Sequence, residues 1–144
     1  MFIFSHDTYF ESDIPKTVVR SLNQGPNVVS MDFHPQKQTI LLVGTDIGDI
    51  GVWDAPKRKM AVQASLSKDS TVSVNKCIWS QDGTRVGVVF SNRIVQMYLS
   101  SETGELRQHL QIDAHTGSVN DIALANHRKQ MYVITCGDDK AIKV

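Results

Sequence analysis

The 144-residue sequence predicts an all-β fold, a partial β-propeller of about two to three blades. A block of residue types recurs with a spacing of about 45 residues: Trp53 and Tyr98 are 45 residues apart, and so are Trp79 and Leu124. Short apolar runs alternate with turns rich in Gly, Asp and Asn, and no long apolar stripe has helical spacing. Such a period, with an apolar strand that ends on Trp-Asp, is typical of a propeller blade.

The first blade is predicted over residues 27–66, after an irregular lead-in segment over residues 1–26. Pro15 and Pro26 disfavour regular structure in the lead-in, and residues 16–22 fit either an extended segment or a short helical turn. Within the blade, β-branched and aromatic residues separated by turn residues predict four strands. These strands are expected near residues 28–33, 39–43, 49–53 and 60–66.

Two further blades are predicted over residues 72–112 and 115–144, which gives a repeat domain over residues 27–144. In the second blade, Asp82-Gly83 is a strong hairpin signal between two apolar runs. The third blade reaches Val144, one residue before the position that Trp53 and Tyr98 occupy in the earlier copies.

Composition narrows the classes of function. Hydrophobic residues make up 41% of the chain, and Lys plus Arg equal Asp plus Glu at 15 each. The zero net charge disfavours a general phosphate-binding surface, so we expect no direct nucleic-acid contact. No apolar stretch approaches the length of a membrane span, and residues 1–4 are too short for a signal-peptide core. Cys77 and Cys136 lie in apolar runs without a disulfide framework, which favours a soluble chain in a reducing compartment.

The third copy resembles a WD40 repeat. Ala114-His115 is similar to the Gly-His dipeptide that opens a WD40 unit, and residues 135–140 are similar to the family's Ser-Gly-Ser-x-Asp turn. In that family a His, a Ser or Thr, an Asp and a strand Trp form a buried hydrogen-bonded network. The resemblance assigns these roles to His115, Thr135 and Asp139.

The other two copies depart from the WD40 pattern. The first keeps Trp53-Asp54 but has Ile47 at the position of Asp139, and the second has Asn92 there and Tyr98 in place of the Trp. Only the third copy is therefore expected to approach a complete network.

A narrower resemblance covers residues 13–144. Several strings are similar to the start of the propeller region of plant TOPLESS-type transcriptional corepressors, namely residues 13–20, 31–35, 41–45, 48–53, 73–75, 107–110, 113–115 and 119–123. The resemblance implies a nuclear protein that bridges DNA-bound repressors to chromatin-modifying enzymes. The family's tetramerising LisH and CTLH domain has no match here. The segment between Trp53 and Gln63 is shorter than in the family, so the first blade is expected to be incomplete.

Other kinds of site are disfavoured. A catalytic triad of His115, Thr135 and Asp139 would need an oxyanion site, and a satisfied structural network accounts for the same residues. The potential metal ligands lack the paired spacing that zinc sites favour; they are His109, Asp113, His115 and Cys136. We therefore expect no catalytic residue, no metal and no cofactor.

The strand aromatics have two interpretations, because aromatic residues anchor many interfaces and also fill layered β cores. We favour the core interpretation for these residues, which are Trp53, Trp79 and Tyr98. The open ends of a partial ring are expected to expose strand edges and to promote self-association.

The prediction for function is a non-enzymatic WD40 scaffold that binds protein partners and acts in negative regulation of transcription in the nucleus. By resemblance, those partners are repressors and chromatin-modifying complexes. The alternative is a generic WD40 adaptor in another pathway, such as ubiquitin ligation or trafficking.

Overall fold

The computed structural model describes residues 14–65 and 69–144, and within these residues the chain forms strands and no helix. The all-β prediction is confirmed. The strands are β1 (Val28–Phe33), β2 (Ile40–Thr45), β3 (Asp49–Asp54), β4 (Lys59–Ser65), β5 (Val74–Trp79), β6 (Arg85–Phe90), β7 (Ile94–Ser100), β8 (Leu106–Asp113), β9 (Val119–His127), β10 (Gln130–Gly137) and β11 (Ile142–Lys143).

These strands form three antiparallel sheets in which neighbours in sequence are neighbours in space. The first sheet has the order β1-β2-β3-β4, the second β5-β6-β7-β8, and the third β9-β10-β11. Each innermost strand has a register irregularity at the same place, after Val28, Val74 and Val119. The three sheets are therefore copies of one unit, and the partial propeller is confirmed.

The expectation of an incomplete first blade was wrong. The connection after Trp53 is short because it is a tight turn, closed by the Arg58 N–H donating to the Ala55 carbonyl at 3.2 Å. Arg58 adopts a positive φ of 53° to make that turn. The chain then re-enters the sheet as β4, so the sequence between Trp53 and Gln63 is a hairpin and not a deleted strand.

The lead-in forms neither helix nor paired strand over residues 16–22. Part of the predicted lead-in, residues 1–13, lies outside the described residues, and so does residue 66 at the end of the first predicted blade. Gly25 adopts a positive φ of 93° shortly before β1 begins, a conformation that glycine takes without steric cost.

The core lies between the sheets, which pack face to face in the order first, second, third. One buried cluster joins the first two sheets and includes Leu42, Ile50, Val52, Val74, Cys77 and Trp79. A smaller one joins the second and third and includes Val89, Val95, Met97, Val119 and Ile122. Side chains alternate across each strand, so every sheet has one face for each neighbour.

Side chains on the innermost strands also bind the next sheet directly. The Ser30 Oγ accepts the Cys77 N–H at 3.0 Å, and an Asp32 carboxylate oxygen accepts the Trp79 N–H at 2.8 Å. At the second junction, the Asn75 side-chain amide donates to the Ser118 Oγ at 2.8 Å and to the Val119 carbonyl at 2.7 Å. These bonds fix the sheets relative to one another.

Candidate functional site: a buried polar network and the exposed faces

The structure brings His115, Thr135 and Asp139 together. His115 is buried in the turn between β8 and β9, with its Nδ1 2.8 Å from an Asp139 carboxylate oxygen and its Nε2 2.8 Å from the Thr135 Oγ1. An ionised carboxylate only accepts hydrogen bonds, so Nδ1 donates to Asp139, and the Nε2 of a neutral ring then accepts from the Thr135 hydroxyl. Every polar atom of the imidazole is thereby satisfied.

Asp139 ties this network to two turns. Its carboxylate accepts the N–H of Thr116 at 3.3 Å and the N–H of Ala141 at 3.2 Å, so it links the β8–β9 turn to the β10–β11 turn. The hydrogen bond from His115 is the main reason that the pKa of Asp139 falls to about 2. Gly137 permits this approach, because a Cβ there would lie 2.8 Å from the His115 Nδ1.

The network has the chemistry of a structural clamp. The Thr135 side chain is buried, and its hydroxyl is hydrogen-bonded to the His115 ring. A nucleophile has to meet its substrate as well as its base. Across residues 14–65 and 69–144, no three His, Cys, Asp or Glu side chains form a group that would hold a metal ion.

The first sheet also has a buried polar link, and different residues make it. The buried Trp53 Nε1–H donates to the Gln24 Oε1 at 2.6 Å. Gln24 lies four residues before Val28, as His115 lies four residues before Val119, so it occupies the histidine position of its repeat. Gly51 leaves space for the Gln24 side chain, because a Cβ at position 51 would be 2.7 Å from the Gln24 Oε1.

Sequence reasoning missed Gln24 because it lies in the segment assigned to the lead-in. The signal that identifies it is its spacing: four residues before the first Val of the innermost strand. A glutamine amide offers an acceptor to Trp53, whereas its Nε2 is buried and makes no hydrogen bond. Gln24 therefore replaces the histidine only in part.

The second sheet uses a third arrangement. The Tyr98 hydroxyl donates to the Gln96 Oε1, and the Gln96 Nε2 donates to the Gln111 Oε1 at 3.0 Å. Burial raises the pKa of Tyr98 to about 12, so the phenol stays protonated and keeps donating. The buried hydrogen-bonded group is thus made by a different set of side chains in each of the three repeats.

The three strand aromatics lie inside the packed structure. Trp53, Trp79 and Tyr98 are all buried, and Trp79 and Tyr98 belong to the cluster between the first two sheets. The His34 ring packs against Trp79 with ring centroids 4.7 Å apart and planes tilted by 60°. His34 also accepts the N–H of Lys37 at 3.0 Å, which holds the turn after β1 over the second sheet.

Comparison with known proteins bears on the third repeat. The family described as "WD domain, G-beta repeat" matches residues 104–144, the stretch that holds His115, Thr135 and Asp139. The WD40 resemblance stated from the sequence is confirmed for this stretch.

The chain is also similar, over nearly its whole length, to TOPLESS-type proteins. It is 54% identical to "Protein TPR3" of Oryza sativa subsp. japonica over 153 residues, which are 95% of this chain and 14% of that protein. It is 53% identical to "Protein TOPLESS" of Arabidopsis thaliana over 148 residues, which are 92% of this chain and 13% of that protein. The chain therefore spans about one seventh of the length of these relatives.

A solved structure shares the fold. The crystal structure of Saccharomyces cerevisiae Sqt1 superposes with a TM-score of 0.63, covering 80% of this chain and 30% of that chain at 20% identity. At that identity the similarity concerns the fold alone. Over residues 14–65 and 69–144, the chain has no helix of the length and apolarity needed to cross a bilayer.

Two sheet faces of the chain expose apolar side chains. We call the outward face of the first sheet the front face; it carries Val28, Met31 and Phe33 from β1. We call the outward face of the third sheet the rear face; it carries Ile142 from β11. These are the largest departures from the buried apolar pattern in the β-sheets.

Proposed function

We propose that the chain acts as a non-enzymatic protein-interaction scaffold and forms part of a transcriptional corepressor of the TOPLESS type, working in negative regulation of transcription in the nucleus. The observation that carries the proposal is the identity of 51–54% to four TOPLESS and TOPLESS-related proteins over 92–96% of the chain. The proposed partners are protein components of repression, namely DNA-bound repressors and chromatin-modifying complexes.

The geometry supports a binding role because two of the polar networks hold turns and strands of the scaffold in place. His115 is hydrogen-bonded to Asp139 and Thr135, and Tyr98 is hydrogen-bonded to Gln96. These side chains are therefore engaged within the chain, where they hold the backbone in place. Rigid loops on a β scaffold are the usual place for recognition in repeat proteins. We therefore place partner contact on the turns that the His115 network holds.

A cavity of about 480 Å³ lies at these turns, between the second and third sheets. It is lined by Ser91, Asn92, Arg93, Ile94, Thr116, Gly117 and Ser118. The Arg93 guanidinium at its edge pairs with Asp113 at 3.0 Å in an exposed salt bridge. Exposed pairs of this kind contribute little stability, so Arg93 is free to exchange Asp113 for a partner's carboxylate.

The test uses the 144-residue chain as bait in plant nuclear extract, with mass spectrometry of the proteins retained. We expect repressors or histone deacetylase components to be enriched relative to a WD40 bait of the Sqt1 type. Enrichment of ubiquitin-ligase or trafficking components instead would favour a generic adaptor. Recovery of no repression component would contradict the proposal.

A matched pair of substitutions tests the location of the surface. Thr116→Arg places a large cation over the cavity, whereas Thr103→Arg makes the same change in the β7–β8 turn at the opposite end of the second sheet. Both positions are exposed. We expect the first variant to lose most of the recovered partners and the second to keep them. Equal recovery by both variants would move the surface elsewhere.

A further inference from the structure

We propose that a cluster of cations at one end of the first sheet is a docking surface for a short acidic segment of a partner protein. We call this surface the basic corner; it consists of Arg20, Lys57, Arg58 and Lys59. Arg20 belongs to the lead-in, and the other three lie where the β3–β4 turn leads into β4. The inference goes beyond the scaffold role, because this surface lies at the end of the sheets opposite to the cavity at the His115 turns.

The tertiary structure brings Arg20 to the β3–β4 turn. The lead-in passes the end of β3 in the opposite direction, since Gln24 accepts the Trp53 Nε1–H at 2.6 Å and an Arg20 Nη1–H donates to the Pro56 carbonyl at 3.0 Å. Arg20 and Pro56 are 36 positions apart in the sequence. The hydrogen bond to Pro56 uses one guanidinium N–H, so the other donors of Arg20 remain available for an anion.

Most of the positive charge of the basic corner has no internal counterpart. Lys57 pairs with Asp54 at 3.0 Å, and its side chain is still 76% exposed. Among the residues that the structure describes, no carboxylate lies within 4 Å of the cationic groups of Arg20, Arg58 and Lys59. All four residues of the corner are exposed. A partner's carboxylates therefore reach these cations without displacing an internal one, and clustered cations attract them from a distance.

The equivalent turn of the second sheet shows that such a hairpin forms without these cations. The β7–β8 turn, residues 101–105, contains neither Lys nor Arg. It is closed by the Gly104 N–H donating to the Ser101 carbonyl at 3.0 Å, as the β3–β4 turn is closed by the Arg58 N–H at 3.2 Å. Folding of the turn therefore does not explain the positive charge of the basic corner.

The same comparison limits the length of the acidic partner segment. The β7–β8 turn carries Glu102 and Glu105, and it lies at the same end of the sheets, because the Lys37 ammonium of the β1–β2 turn is 3.5 Å from the Glu102 carbonyl. The positive surface thus gives way to carboxylates at the neighbouring sheet. A nucleic acid needs a longer series of cations for its phosphates, whereas a few carboxylates of a flexible peptide fit the corner.

The test is fluorescence anisotropy of fluorescein-labelled octaglutamate with the 144-residue chain at low ionic strength. We expect saturable binding that weakens as salt is added, because ions screen exposed charges. A labelled Gly-Ser peptide of the same length should not bind. The double variant with Arg58→Gly and Lys59→Gln should bind octaglutamate about tenfold more weakly, since each exposed ion pair contributes roughly a factor of two to five.

The matched control removes two cations from another turn at the same end of the sheets. Arg128→Gly and Lys129→Gly change the β9–β10 turn, where the native residues have positive φ values of 49° and 65°, as Arg58 has 53°. Glycine adopts this conformation without steric cost, so these glycine substitutions do not strain the turns. We expect the control to bind octaglutamate as the unchanged chain does. Arg20→Gln alone should weaken binding about two- to fivefold, because the lead-in supplies one of the cations.

Circular dichroism checks that each variant is folded, and Lys59→Gln alone replaces a double variant that is not. A chain that does not bind octaglutamate would overturn the proposal, and so would equal losses in the two double variants. Full binding by the Arg20→Gln chain would also contradict it. A labelled single-stranded DNA is the remaining probe: tighter binding of that DNA than of octaglutamate, lost in the Arg58→Gly and Lys59→Gln variant, would assign the corner to nucleic acid instead.

Discussion

The first and third repeats hold their loops by different chemistry at the same place. In the third, His115 joins Asp139 to Thr135 in a network that includes an ionised carboxylate. In the first, Gln24 accepts one hydrogen bond from Trp53, with no carboxylate in the group and a buried amide nitrogen that has no partner. The comparison shows that both repeats have a buried polar link at this position and that different sets of residues make it.

The largest expected effect comes from Trp53, because it makes the hydrogen bond to Gln24 and is a buried aromatic side chain. Trp53→Ala should lower the free energy of unfolding by about 3–5 kcal/mol, the usual range for removing a buried aromatic side chain. Urea denaturation followed by circular dichroism measures it. Trp53→Phe is the control, since it keeps most of the ring and loses only the N–H. If both variants lost the same free energy, the hydrogen bond to Gln24 would matter more than the packing.

In the third repeat, His115→Ala should cost about 1–3 kcal/mol, because it leaves the Thr135 hydroxyl and part of the Asp139 carboxylate without a partner. His115→Gln copies the chemistry of the first repeat and should recover part of that loss. The same urea titration compares the two variants. A glutamine variant no more stable than the alanine variant would show that the two links are not interchangeable.

The Asp139 carboxylate makes the polar link of the third repeat sensitive to acid, whereas the link between Gln24 and Trp53 in the first repeat has no titratable group. The pKa of Asp139 is about 2 in the folded chain, below the value of 3.8 for a free side chain. A lowered folded-state pKa stabilises the fold above about pH 4, and that stabilisation is lost as the pH falls from 4 towards 2. Asp139→Asn keeps an acceptor for His115 and should flatten the dependence in thermal unfolding measured at several pH values.

Some acid dependence should remain in that variant, because hydrogen bonds from Ser80 and Thr84 also lower the pKa of Asp82 to about 2. Asp82→Asn in the second repeat is therefore the matched control. If the Asp139→Asn chain kept the acid sensitivity of the unchanged chain, Asp139 would not be the source of that sensitivity.

The smallest effect concerns the two thiols, which report on covered and uncovered sheet faces. Cys77 is fully buried between the first two sheets, and burial raises its pKa to about 12. Cys136 is partly exposed near the rear face. A thiol reagent at neutral pH should therefore label Cys136 first and Cys77 only on unfolding, as mass spectrometry of peptides would show. Equal labelling rates would mean that the first two sheets separate readily.

Much of the fold was accessible from the sequence because the repeat is encoded locally. Alternating apolar residues and Gly, Asp and Asn turns set the strands, and the spacing of about 45 residues set the three units. The group of His115, Thr135 and Asp139 was accessible for the same reason, because all three lie within one repeat and match a known pattern. Whether the group acts as a structural clamp stays a prediction until His115 is replaced.

The missed features are those that depend on contacts between distant segments. Gln24 looks like an ordinary lead-in residue until the chain returns with Trp53, 29 residues later. From the sequence, Ser30 and Asp32 form the polar side of a strand. In the structure they accept hydrogen bonds from the second sheet, each from a residue 47 positions later in the chain. The short connection after Trp53 looked like a deletion, and only the pairing of β4 with β3 showed it to be a turn.

By itself the sequence determined the class of fold, the number of repeats and the residues of one polar network, since each follows from local alternation or from a fixed period. Only the tertiary structure decided which face of each sheet is covered and which polar groups replace the histidine elsewhere. The physical reason is that burial and hydrogen-bond satisfaction depend on what packs opposite a residue. Ile50 and Ile142 have the same side chain at equivalent positions, and the neighbouring sheet alone makes one of them core and the other surface.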